Sequence, residues 1–124
     1  MAKKLIKKKY IFLGDCDSIN IEIIFKSYPL LKNKIKYIII GNIKDIQKYL
    51  EKIKTNIELK EIINPYDFDE ADVNYMNIYN VNNVSIEKFK DLLNQIKIAN
   101  IISNKTGLDL ITMPIDKSLF KKKI

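Results

Sequence analysis

Three consecutive isoleucines, Ile38-Ile39-Ile40, end the run that starts at Ile35 and stops at Gly41-Asn42, and they constrain this chain more than any other stretch. A β-branched run without a polar interruption has no solvent face. It reads as a strand covered on both sides, as strands in a parallel sheet are. Asn42 then offers a side-chain cap for a helix that carries Ile43, Ile46, Leu50 and Ile53 on one face.

The same grammar recurs along the chain. Tyr10 to Leu13 is a short apolar run closed by Gly14, and from Asn20 onward Ile23, Ile24, Ser27, Tyr28 and Leu31 follow at helical spacing until Pro29 ends or bends the helix. Glu58 to Ile63 reads as a third strand, ended by Asn64-Pro65. Tyr75 to Val81 alternates polar and apolar residues, the pattern of a half-exposed strand near a sheet edge. Ser85 is placed to cap the longest helix, with Ile86, Phe89, Leu92, Leu93, Ile96, Ala99 and Ile102 on its stripe, Gly107 at its C-cap, and Leu108 to Thr112 as the last strand. This alternation predicts an α/β fold: a mostly parallel sheet with helices on both faces, three layers, in a single domain over residues 1–124.

Composition narrows the function classes. Hydrophobic residues make up 47% and charged residues 30%, a globular balance. No apolar run is long enough to cross a bilayer, and the basic start is interrupted by Gly14, Asp15 and Asp17 before an apolar signal region can form. With a single cysteine, Cys16, the expectation is a cytoplasmic protein without membrane contact. The net charge of +7 invites a nucleic-acid reading, but all 22 basic residues are lysine and they are spread along the chain. Arginine, which forks onto phosphate and guanine, is absent, so nucleic acid is an unfavoured partner.

Two loops could carry chemistry, because each follows an apolar run and so falls at the carboxyl edge of a sheet. The first is Gly14-Asp15-Cys16-Asp17-Ser18-Ile19-Asn20-Ile21-Glu22-Ile23 and the second Thr112-Met113-Pro114-Ile115-Asp116-Lys117. Neither has the glycine spacing of a dinucleotide fingerprint or a P-loop. Asp17 or Ser18 as an ordinary helix cap accounts for the first loop without a ligand. The carboxylates Asp67, Asp69, Glu70 and Asp72 lack the glycine turn of a calcium loop and read as a solvated acidic loop. Cys16, with no histidine beside it to act as base, reads as an inert thiol. Tyr10, Tyr28, Tyr37 and Tyr49 read as packing residues.

Together the two loops resemble the 4-hydroxythreonine-4-phosphate dehydrogenase (PdxA) family. The first is similar to the pattern G-D-P-A-G-I-G-P-E-I at Gly14, Asp15, Ile19, Glu22 and Ile23, with Lys26 following in register. It departs at Cys16, Asp17, Ser18, Asn20 and Ile21. The second resembles D-A-I-V-T-A-P-I-N-K at Asp109, Thr112, Pro114, Ile115 and Lys117, with Met113 and Asp116 replacing alanine and asparagine. The resemblance covers the N-terminal portion of that family and implies Gly14, Asp15, Glu22, Thr112, Pro114 and Lys117 as cleft-lining residues. In the intact family it implies NAD, a divalent metal held by histidines, a phosphorylated small molecule as substrate, and a homodimer. This chain contains no histidine, so no catalytic or metal-binding residue carries over. The expectation is a truncated or divergent relative, inactive as this chain alone and needing no cofactor, with self-association possible through an uncovered strand. A non-catalytic interaction module and a lysine-rich nucleic-acid-binding domain are the alternatives.

Overall fold

The structure, a computed structural model, describes residues 7–14, 22–24, 26–27, 34–53 and 57–113. Five strands, β1 (Lys7–Phe12), β2 (Ile35–Gly41), β3 (Leu59–Glu61), β4 (Met76–Asn80) and β5 (Leu110–Thr112), form one sheet in the order β3-β4-β2-β1-β5. Every pairing is parallel. Residues 22–24 and 26–27 are helical and are designated α1; α2 spans Ile43–Ile53 and α3 spans Lys88–Thr106.

The isoleucine run lies where its composition requires. Ile38, Ile39 and Ile40 pair with Tyr10, Ile11 and Phe12 of β1, and all six side chains are buried. Their alternation divides the core in two. On one face Ile11, Leu13, Tyr37, Ile39 and Ile78 pack with Ile24 of α1 and with Ile46 and Leu50 of α2. On the other, Tyr10, Phe12, Ile38 and Ile40 pack with Phe68 and Ala71 of the β3–β4 connection and with Leu92, Ala99 and Ile102 of α3. Right-handed crossovers give this division. The steps from β1 to β2 and from β2 to β3 run one way along the sheet and place α1 and α2 on one face, while the returns to β4 and β5 run the other way and place the helix-free β3–β4 connection and α3 opposite.

Three local expectations need correction. β4 lies one strand in from the sheet edge, between β3 and β2, as a position near the edge requires, but it is not half-exposed: its polar residue Asn77 is 3% exposed. Asn77 donates to the carbonyl of Asp72 at 3.0 Å and accepts from the Asp72 amide at 2.9 Å, so its polarity serves a loop rather than water. Ser85 does not cap α3. Its hydroxyl accepts from the Glu87 amide at 3.0 Å, and Glu87 holds the N-cap position with no side-chain cap bond. Ile86 precedes the helix and is fully exposed, and Leu93 is also exposed, so neither belongs to the buried stripe. Gly107 is the C-cap, at a φ of 71° that favours glycine, and its amide donates to Ser103.

The acidic loop uses its carboxylates locally. Glu70 accepts from the amides of Asn64 and Ile63, Asp67 from Asp69, and Asp72 from Asn74. Tyr10 and Tyr37 are core residues, as expected of packing tyrosines, and Tyr49 of α2 packs against the core. Tyr28 and Cys16 lie outside the described residues. At the β1–β5 side of the sheet Lys9 donates to Asp109 and holds that exposed carboxyl below the usual carboxylate range.

The phenol of Tyr10 donates to the Pro65 carbonyl at 2.6 Å, and burial pushes its pKa above the ordinary tyrosine value of 10.0. The folded chain therefore keeps this proton at a pH where the unfolded chain has lost it. Above the unfolded value the unfolded state binds fewer protons, and stability falls as pH rises. Tyr10→Phe should cost about 1 kcal/mol at neutral pH, through the unpaired carbonyl. It should also soften the alkaline decline, as urea melts at pH 8 and above 10 would report.

Candidate functional site

The carboxyl edge of the sheet has a topological switch between β2 and β4. After β2 the chain passes to the face that holds α2, and after β4 to the face that holds α3, so the neighbouring connections diverge and leave a crevice. Asparagines occupy its base. Asn42 accepts from the Asp45 amide at 3.1 Å, as an N-cap should, and donates to the Val81 carbonyl across the switch at 3.1 Å. Asn80 accepts from the Ile43 amide at 2.9 Å. Side chains of the protein itself thus satisfy two amides of the first turn of α2, so that helix end is closed as an anion site.

Above this edge lies a cleft of about 860 Å³, lined by Gly14 after β1, by Asp45, Lys48, Tyr49 and Lys52 of α2, and by Asn83, Ser85, Lys88, Asp91 and Gln95 around the start of α3. Gly14 has a φ of 76°, a backbone conformation that a residue with a side chain adopts with strain. Asn83 donates to Asp45 at 3.4 Å across the opening. Asp91 is nine-tenths buried, and its Oδ1 accepts from the amides of Val84 at 2.6 Å and Ser85 at 3.0 Å, which shapes the loop that walls the cleft. Gln95, one helical turn on, is 5% exposed.

Of the residues expected to line a cleft, Gly14 does so. Glu22 stands one contact behind it, accepting from the hydroxyl of the cleft residue Tyr49 at 3.1 Å. Thr112 pairs with Phe12, and the Met113 amide donates to the Phe12 carbonyl at 3.0 Å, so the second loop begins at the same sheet edge as Gly14. Thr112 itself is exposed and is not part of the cleft wall. Asp15, Pro114 and Lys117 lie outside the described residues. Sequence reading missed Asp91 and Gln95. The signal available for Gln95 was a polar residue at the spacing of Leu92, Ala99 and Ile102, inside an otherwise apolar stripe.

The metal that the resemblance implies does not fit this chain. Its imidazole ligands are absent from the sequence, and among the described residues no three of histidine, cysteine, aspartate and glutamate gather to hold an ion. No described helix is long and apolar enough to cross a membrane.

Fold and cleft define an α/β domain with an all-parallel sheet and a crevice at its carboxyl edge. No protein-family model matches the chain, and no curated protein matches it in sequence. Among solved structures it is similar to the 4-hydroxythreonine-4-phosphate dehydrogenase from Burkholderia phymatum, with a TM-score of 0.77 at 13% identity. It is also similar to the 4-hydroxythreonine-4-phosphate dehydrogenase from Klebsiella pneumoniae, with a TM-score of 0.74 at 19% identity. In both cases 94% of this chain is covered but only 39% of the other. At these identities the likeness is one of fold. It agrees with the family pointed to by the Gly14 and Thr112 segments.

Proposed function

We propose that this chain is a divergent 4-hydroxythreonine-4-phosphate dehydrogenase-like domain of the cytoplasm that keeps the carboxyl-edge cleft for a small phosphorylated molecule and does not catalyse the family reaction by itself. The observation that carries this reading is the agreement of 94% of the chain with two such dehydrogenases. The cleft supports it with Lys48, Lys52 and Lys88, cations that can meet an anionic group although Asp45, Glu51 and Asp91 share the lining. The missing imidazole ligands argue against turnover. The family reaction, an NAD-dependent oxidative decarboxylation, relies on a bound metal to hold developing charge, and nothing among the described residues replaces that donor set.

Lysines stand on both helix layers, at Lys44, Lys48 and Lys52 of α2 and Lys88, Lys90, Lys97 and Lys105 of α3. That dispersal favours a solvated surface over a dedicated nucleic-acid face. With β4 interior, an uncovered strand there no longer argues for self-association. The exposed Leu93 and Ile101 of α3, and Ile86 just before it, are the apolar surface there that favours a homo-oligomer.

Purified chain incubated with NAD, magnesium or manganese, and 4-phosphohydroxythreonine should give no reduced nicotinamide absorbance above a protein-free control. Turnover that disappears on replacing Asp15 or Lys117 would overturn the reading and mark the chain as a complete, minimal enzyme.

A further inference from the structure

We propose that the outer edge of β5 pairs antiparallel with β5 of a second copy of this chain, joining two five-stranded sheets into one across a two-fold axis at Ile111. This goes beyond the apolar surface of α3 named above and does not depend on what enters the cleft. β5 closes one end of the strand order, with β1 as its neighbour. The Tyr10 amide donates to the Asp109 carbonyl and the Met113 amide to the Phe12 carbonyl, both at 3.0 Å, so Asp109 and Met113 turn these groups toward β1. Ile111, between them and paired with Ile11, does the same. A strand turns the N–H and C=O of successive residues to opposite sides, so Leu110 and Thr112 aim theirs away from the sheet.

An outward row of this kind is a template for another strand unless something guards it. The opposite edge of the sheet is guarded. β3 has Lys60 at its centre and Glu61 beside it, and a symmetric pairing there would set Lys60 against Lys60. β5 carries no charge: it reads Leu110-Ile111-Thr112, with Ile111 40% exposed and Thr112 also exposed. A second β5 in antiparallel register, centred on Ile111, sets Leu110 of each copy opposite the partner's Thr112 as hydrogen-bonded pairs, about four bonds in all. Ile111 meets the partner's Ile111 as the close pair between them, which covers its exposed side chain. One position further out Asp109 faces the partner's Met113, so like charges do not oppose. α3 suits a second copy less well. Lys97 is exposed and stands one turn from both Leu93 and Ile101, so a two-fold contact across that stripe brings lysine near lysine.

Sedimentation of the full chain over a wide concentration range tests this. So short an overlap buries little surface, so the dimer should be weak and should grow with concentration. Ile111→Lys should weaken it at least about tenfold by opposing like charges at the axis. Thr112→Pro should do the same by deleting an outward amide while sparing the bonds to β1. Both positions are exposed, so the melting temperature of dilute protein should hardly move. Leu93→Lys combined with Ile101→Lys should leave the dimer intact. In hydrogen exchange, the Leu110 and Thr112 amides should be fast in dilute protein and slow once the dimer fills. A monomer at every concentration would overturn the proposal, as would a dimer indifferent to Ile111→Lys and Thr112→Pro. Loss of the dimer in the Leu93→Lys, Ile101→Lys variant would move the contact to α3 and overturn it too. Slow exchange of both amides in dilute protein would mean that the chain's own residues cover this edge, with the same consequence. None of these results touches the cleft reading, which the nicotinamide assay tests.

Discussion

Replacing Asn77 by leucine should cost the fold about 2–5 kcal/mol, a large share of the total stability of a domain this size. Leucine keeps the branched skeleton of asparagine but puts bulkier methyl groups, which cannot hydrogen-bond, where the amide was, so a packing cost adds to that of the partners left behind. Asn77 ties the β3–β4 connection to the sheet: its Oδ1 takes the Asp72 amide at 2.9 Å and its Nδ2 gives to the Asp72 carbonyl at 3.0 Å, with longer contacts to the carbonyls of Tyr75 and Tyr37. With the amide gone, two backbone groups of Asp72 lose their partner beside a buried strand. The connection also carries Phe68 and Ala71 into the core under α3, so its loosening exposes apolar surface as well. A urea midpoint shift with an unchanged slope would report this loss. A shift below about 0.5 kcal/mol would mean that water replaces the amide at no net cost.

Asn77 also marks where sequence and structure part. Strands rich in isoleucine were legible because a β-branched run has one low-energy fate, burial on both faces, and β1, β2 and their parallel pairing follow from it. The asparagine broke that pattern in β4, and alternation alone assigned its face to solvent. Alternation cannot distinguish a polar residue facing water from one facing a loop that needs it. The same holds at α3, where Ser85 has the chemistry of a cap but the loop ahead of the helix is instead held by Asp91, seven residues beyond Val84. A side chain that reaches back from inside a helix leaves no local signature. In the cleft, Gly14 was legible through its place after a buried strand and through the resemblance. Gln95 was legible only as an interruption of an apolar stripe, a pattern that does not say what the buried amide faces.

Asp91→Ala should be the most damaging change at the cleft wall, at about 2–4 kcal/mol, while Asp91→Asn should lose about half of that or less. The carboxylate accepts two backbone amides through one oxygen, at 2.6 Å from Val84 and 3.0 Å from Ser85, and hydrogen bonds to a charged acceptor are the stronger kind. It also sits in the first turn of α3, where the helix dipole favours a negative charge. Asparagine keeps an oxygen in place and forfeits the charge. Alanine forfeits both, and two amides lose their acceptor beside a nine-tenths buried position. The loop from Asn82 to Glu87 has its exposed apolar residues Val84 and Ile86 directed to solvent, so little packing would hold it once those bonds are gone. Hydrogen exchange at Val84 and Ser85 should therefore accelerate strongly in Asp91→Ala, well before the amides of β1 and β2 respond, because local opening costs less than global unfolding. Uniform acceleration across the whole chain would instead make Asp91 a determinant of the entire core, and the cleft wall would no longer be separable from the fold that carries it.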